Sequence, residues 1–234
     1  MADATSSRRR PVRMEAILTL LTFASSITDV LSFLTLGNAF TSGMTGNTAL
    51  LGLAVGQGQI FAASYPASAL AGFLLGVTLG RLLSPPVDRR AGNATLLGVE
   101  SLCLGAFCIV WFGFEHPAAS EAIYVLIALS ATGMGIQAVV ARRINAPGIP
   151  TIVFTTTLTT ICTAVTDVVA HGVPLSRDTK RQIGIFSVYL VGATVAGALA
   201  SRHLGLLTLL PLIAVVAALA IEYRGNSGPG EAAT

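Results

Sequence analysis

The stretch "SITDVLSFLTLGNAFTSGMTGNTALLGLAVG", residues 26–56, passes from an apolar helical pattern into backbone that lipid alone cannot accommodate. Residues 40–48 hold three Thr, one Ser, one Asn and two Gly, in a chain of 234 residues that is 53% hydrophobic and 11% charged. In hydrocarbon every backbone N–H and C=O needs a partner, so irregular chain at membrane depth persists only inside protein or along a wet cavity. Gly37, Gly43 and Gly46 weaken helix here, whereas "NTALLGLAVG" reads as a half-helix. The expected form is an extended approach followed by a short helix. A helix of about 14 residues is roughly 21 Å long against a core of roughly 30 Å, which leaves its first turn, "MTGNT", at membrane depth.

The composition around this stretch is that of an integral membrane protein. Mean hydropathy is +0.75, and soluble domains carry about a quarter charged residues. Apolar runs at 14–36, 62–82, 91–113, 119–141, 183–201 and 203–222 each suit a spanning helix. Residues 43–57 and 150–170 are apolar but rich in Thr and Gly, and can cross, dip in or line a cavity. The first run follows Arg8, Arg9, Arg10 and Arg13 and lacks a small-residue cleavage site, so it reads as a retained anchor. The net charge of +3 comes from loop arginines and gives no reason to invoke nucleic acid.

The two halves align in order. Phe40, Thr41, Met44 and Thr45 match Phe154, Thr155, Leu158 and Thr159; Gly72, Gly76 and Gly80 match Gly192, Ala196 and Ala200; Asp29 corresponds to Gln137. Cytoplasmic loops are enriched in Arg and Lys. With the N-terminus inside and both Thr-rich segments returning to the side they left, Arg81, Arg89, Arg90, Arg142, Arg143, Arg177, Lys180 and Arg181 all fall inside. Full crossing by both segments would move several of them outside. The expected fold is therefore an all-α membrane protein with an inverted 3+3 helix repeat and two re-entrant half-helix segments: six spans and eight helical segments. Its parts are a disordered basic tail at 1–13, a first membrane repeat at 14–113, a second at 114–222 and a disordered tail at 223–234. Both termini are expected to be cytoplasmic.

Inverted repeats with interrupted helices recur among transporters, whose sites lie near the midplane where broken elements meet. The candidate solute-binding residues are Thr41, Thr45, Gly46, Asn47 and Thr48, facing Thr155, Thr156, Thr159, Thr160 and Gln137. A helix N-terminus attracts anionic or electron-rich groups. The plainer reading of each Thr is a hydroxyl bonded to its own i−4 carbonyl. An Asp at mid-helix costs roughly 2.5–3.5 kcal/mol on insertion scales, which makes Asp29 and Glu100 candidates for ion or proton coupling. Asp29 shares a helical face with Ser25, Ser26 and Ser32, and capping the Gly37 turn is its alternative role; for Glu100 the alternative is a neutral structural carboxyl. The Gly72, Gly76 and Gly80 stripe suits close helix packing, within the chain or in a homo-oligomer.

Other chemistry finds no support. No GK[ST] phosphate loop occurs, His116, His171 and His203 fall at span ends, and Cys103, Cys108 and Cys162 lack CxxC spacing. No enzyme activity, metal or cofactor is expected. The stretch quoted at the outset, with "MGIQAVVARR" and "PTIVFTTTLTT", resembles the YoaK-like family of bacterial inner-membrane proteins, a domain of unknown function (DUF1275), over about residues 14–222. The resemblance implies six spans and an inner-membrane location, and brings no substrate. The family pattern places Asn after the helix Gln; here Ala138 follows Gln137, so a role carried by that pair does not transfer. The leading functional expectation is a small secondary transporter of a small polar or anionic solute, set in the lipid bilayer. A passive small-solute or ion channel and a non-transporting assembly partner are the alternatives.

Overall fold

The computed structural model describes residues 3–84, 89–114, 121–144 and 154–226, and these residues form eight α-helices and no strand. They are α1 (Asp3–Thr35), α2 (Met44–Gly56), α3 (Ile60–Leu82), α4 (Arg89–Gly113), α5 (Ala122–Ile144), α6 (Phe154–His171), α7 (Arg177–Ala200) and α8 (Leu204–Asn226). Six of them, all but α2 and α6, are long and apolar enough to cross a membrane. α1 starts at Asp3, so the segment expected as a tail at 1–13 is for the most part helix continuous with the first span. At the other end α8 runs to Asn226, and 227–234 lie outside the described residues, as does most of the "FEHPAASE" loop.

Polar contacts fix the direction of each span. Arg13, at the start of the spanning part of α1 (Val12–Thr35), pairs with Glu222 near the end of α8, and Arg181 near the start of α7 pairs with Glu15 of α1. Gln137, late in α5, donates to the Leu21 carbonyl in the first half of that span. Arg143, at the end of α5, donates to Asn93 of α4 and to the Ser84 carbonyl beyond α3. The starts of α1, α4 and α7 and the ends of α3, α5 and α8 thus share one end of the bundle, and successive spans alternate in direction. Arg13, Arg143 and Arg181 lie at that end.

Neither Thr-rich segment makes a net crossing. After α1 the chain turns through Gly37 (φ 70°) and Asn38 (φ 60°), and a Cβ on Gly37 would lie 2.5 Å from the Tyr65 ring. It then descends until Ser42 meets Ser25, ten residues (about 15 Å) back along α1. α2 has 13 residues and climbs back to the end where α3 begins. α5 ends and α7 begins at the basic end, so the segment carrying α6 also returns to its own side. α6 has 18 residues and packs on α7.

The central helices trade partners between the halves. α5 packs on α3 and α4, and α1 packs on α7 and α8. Gly72 abuts Ala128 and Ala131, Gly76 abuts the Thr132 carbonyl, and Gly80 abuts Val139, so the glycine stripe is filled by α5 of the same chain. Of the two partners weighed for this stripe, a helix of the same chain and a second copy, the first is the one that fills it. In the other half Gly192 lies against Phe23 and Ser26 of α1. Gly192 thus sits three to six residues before Asp29, and Gly72 six to nine before Gln137, so the two ridges dock on corresponding helices about one turn out of step.

Gly76→Ala is expected to lower unfolding stability by roughly 1–3 kcal/mol, since its Cβ would overlap the Thr132 backbone. Gly52→Ala, with nothing within 4 Å of the added carbon, should be neutral or stabilising. Melting curves of the two purified variants in one detergent check this; equal melting would refute the packing.

Candidate functional site

The descending loop is held by Asp29. Its Oδ1 accepts from the backbone N–H groups of Thr41 (2.9 Å) and Ser42 (2.7 Å) and from the Thr41 hydroxyl (3.2 Å). Its Oδ2 accepts from the Ser42 hydroxyl (2.5 Å) and the Tyr189 hydroxyl of α7 (3.0 Å). Asp29 is 2% exposed and its acceptor capacity is filled. Ser32 donates to the Ala39 carbonyl (2.8 Å), and Asn47 accepts from the Phe40 N–H (2.8 Å) and donates to the Phe40 carbonyl (2.6 Å). The irregular backbone between α1 and α2 thus finds partners in Asp29, Ser32 and Asn47, as a non-aqueous setting requires. The Phe40 ring stacks on Phe33 and covers Gly43 and Gly46.

Beside this knot lies a cavity of about 80 Å³ between α1, α5, α7 and the start of α2. Thr22, Ser25 and Asp29 line it from α1, Ser42 and Gly43 from the loop, Met134, Gln137 and Ala138 from α5, and Tyr189 from α7. Gly43 takes the cap position of α2, which has no side-chain cap. Two buried polar atoms in the wall, Gln137 Oε1 and Thr22 Oγ1, have no hydrogen-bond partner. Asp29 and its counterpart Gln137 therefore face one cavity from opposite halves of the chain.

The remaining candidates are distributed differently. Thr41 and Asn47 are buried in the knot, Gly46 is half-buried against Phe40, and Thr45 and Thr48 are exposed, Thr48 bonding the Met44 carbonyl. Thr155, Thr156, Thr159 and Thr160 lie on the exposed part of α6, and Thr159 and Thr160 donate to the carbonyls of Thr155 and Thr156. None of these nine residues lines the cavity; of the expected solute-binding set only Gln137 does. Glu100 is 0% exposed, stands against Gly133 of α5, and neither carboxyl oxygen has a hydrogen-bond partner. It does not line the cavity, so the two coupling candidates do not converge. Thr22, Ser42 and Tyr189 are wall residues outside the expected set. Thr22 continues the Asp29 face at i−7, and Tyr189 precedes Gly192 of the ridge by three, so helical spacing carried both signals.

A family model described as "Protein of unknown function (DUF1275)" matches residues 17–221. The chain belongs to this family. The DUF1275 match runs from early in α1 to late in α8 and so takes in the knot, the cavity and both excursions. A DUF1275-type relative, the UPF0700 transmembrane protein YoaK of Bacillus subtilis (strain 168), is 30% identical over 183 residues, which are 76% of this chain and 80% of the relative. No solved structure matches the chain significantly. This DUF1275 chain is a multi-pass membrane protein.

Asp29→Ala would strand two backbone N–H groups, each worth roughly 1–3 kcal/mol when buried and unpaired, and should destabilise by several kcal/mol. Asp29→Asn, which keeps one acceptor oxygen, should melt between wild type and Asp29→Ala. Glu100→Met is expected to raise stability by roughly 1–3 kcal/mol, because it removes an unpartnered buried carboxyl. Thermal unfolding of the purified variants decides both; a neutral Asp29→Ala or a destabilised Glu100→Met would refute the respective assignment.

Proposed function

We propose that the chain is a small secondary transporter with inverted repeats, whose solute site is the cavity between α1, α5, α7 and the loop that caps α2. The observation that carries this reading is the pair of buried, unpartnered polar atoms, Gln137 Oε1 and Thr22 Oγ1, on the wall of a cavity where the halves meet. Such atoms are costly unless something polar reaches them. The inverted repeat is supported by the alternating spans, three to each half, and by the exchange of packing partners, with a small-residue ridge against each central helix. A half-helix ending at membrane depth beside such a cavity is a recurrent transporter device.

Of the polar or anionic solutes expected from sequence, the cavity favours the polar class, because its lining includes Asp29 and no Lys, Arg or His. The site draws on the loop before α2, through Ser42 and the cap residue Gly43; α2 itself and the self-bonded threonines of α6 contribute no wall. Arg13, Arg143 and Arg181 at one end of the bundle favour cytoplasmic termini in a bacterial plasma membrane.

The test is accessibility from both faces. In a background lacking Cys103, Cys108 and Cys162, Ala138→Cys is expected to react with a membrane-impermeant thiol reagent in both right-side-out and inside-out vesicles. Reaction from one face only, or from neither, would overturn transport and favour an assembly protein.

A further inference from the structure

We infer that the cavity is a binding site for a small monovalent cation, either an alkali ion or a small ammonium group. This deepens the transporter reading and rests on it for its purpose. The argument is about donor direction. Ser25 donates to Ser42 (2.9 Å) and Ser42 donates to Asp29 (2.5 Å), so both hydroxyl protons are committed toward the carboxylate. What these oxygens offer the cavity is lone pairs. Gln137 donates its Nε2 to the Leu21 carbonyl (2.5 Å), and a carbonyl can receive only the amide NH₂ end, which fixes Oε1 as the free end. Gln137 is 7% exposed and Thr22 is 6% exposed, and both free oxygens are buried. Gln137 Oε1 can only accept, and the free Thr22 hydroxyl can accept with its proton turned away, so the lining residues offer more acceptor than committed donor capacity.

Charge points the same way. The groups donating to Asp29 are Thr41, Ser42 and Tyr189, all neutral, and no basic side chain lines the cavity. Its negative charge is hydrogen-bonded without being ion-paired, and a cation held a few ångströms away supplies the missing partner. One carboxylate matches one positive charge, whereas divalent sites gather several. No cluster of three His, Cys, Asp or Glu that would suit a transition metal occurs among the described residues. A cavity of about 80 Å³ exceeds the roughly 10–15 Å³ that one water needs by this measure, which leaves space for a cation with a few waters or for a methylammonium.

The experiment is thermal unfolding of the purified full chain in detergent, titrated with sodium, potassium, ammonium or methylammonium chloride at constant ionic strength set by N-methyl-D-glucamine chloride. Stabilisation that saturates with one of the small cations is expected. Alkali and ammonium arms distinguish the two sources. Thr22→Val removes an oxygen that has no protein partner, so it should melt normally without cation yet shift the half-saturating concentration upward by about tenfold or more. Gln137→Met provides a second variant with the same expected shift. No cation dependence in wild type, or an unchanged half-saturating concentration in both variants, would overturn the site. Cation binding with Ala138→Cys reactive from only one face would keep this site and remove transport. Reactivity from both faces without cation dependence would keep transport and remove the cation.

Discussion

Irregular backbone has to be hydrogen-bonded if it is to lie among apolar helices, and in this protein Asp29 meets most of that requirement. By accepting from the N–H groups of Thr41 and Ser42 it pulls the loop after α1 back toward the middle of the bundle. α2 then starts at that depth and returns to the end of the bundle from which the loop descended. The hydroxyls of Ser42 and Tyr189 complete the carboxylate and tie α7 to the same point. Without this anchor the segment has no reason to dip, and the cavity loses the loop that forms one of its walls. From sequence Asp29 is weighed as a coupling residue or as a cap of the Gly37 turn; its contacts fall beyond that turn, on Thr41 and Ser42, and the charge it brings acts on the cavity beside it.

The proposed repeat gives the halves one plan that differs in detail. α1 and α5 run oppositely through the centre, each packed on the last two spans of the other half and each against a small-residue ridge. Where α1 carries Asp29, saturated with donors, α5 carries Gln137, with one oxygen left over. Where α2 is knotted to α1 by Asp29 and Asn47, α6 carries threonines that satisfy themselves on their own helix. Two related elements can thus serve different ends, one shaping the cavity and the other facing outward.

Glu100 stands apart from this design. It is fully buried between α4 and α5, out of the cavity wall, with both oxygens unpartnered. A polar group in that condition is expensive to keep. The sequence made it conspicuous as a mid-span acid, but its surroundings, Cys103, Leu104 and Gly133, are apolar.

The sequence by itself determined the class of fold, the six spans and the dip after α1. A membrane-crossing helix needs about 20 apolar residues and a buried loop needs glycines and polar partners, and both requirements are written locally in the chain. Helical spacing also carried the stripe of Thr22, Ser25, Asp29 and Ser32, and the paired small-residue ridges. Only the tertiary structure decided which helix fills each ridge, that the α6 threonines lie outside the cavity, and that Tyr189 completes Asp29. It also decided the direction of each hydrogen bond around the cavity. Those outcomes depend on where helices far apart in sequence meet, and a hydroxyl or amide is donor or acceptor only by virtue of the neighbour it finds there.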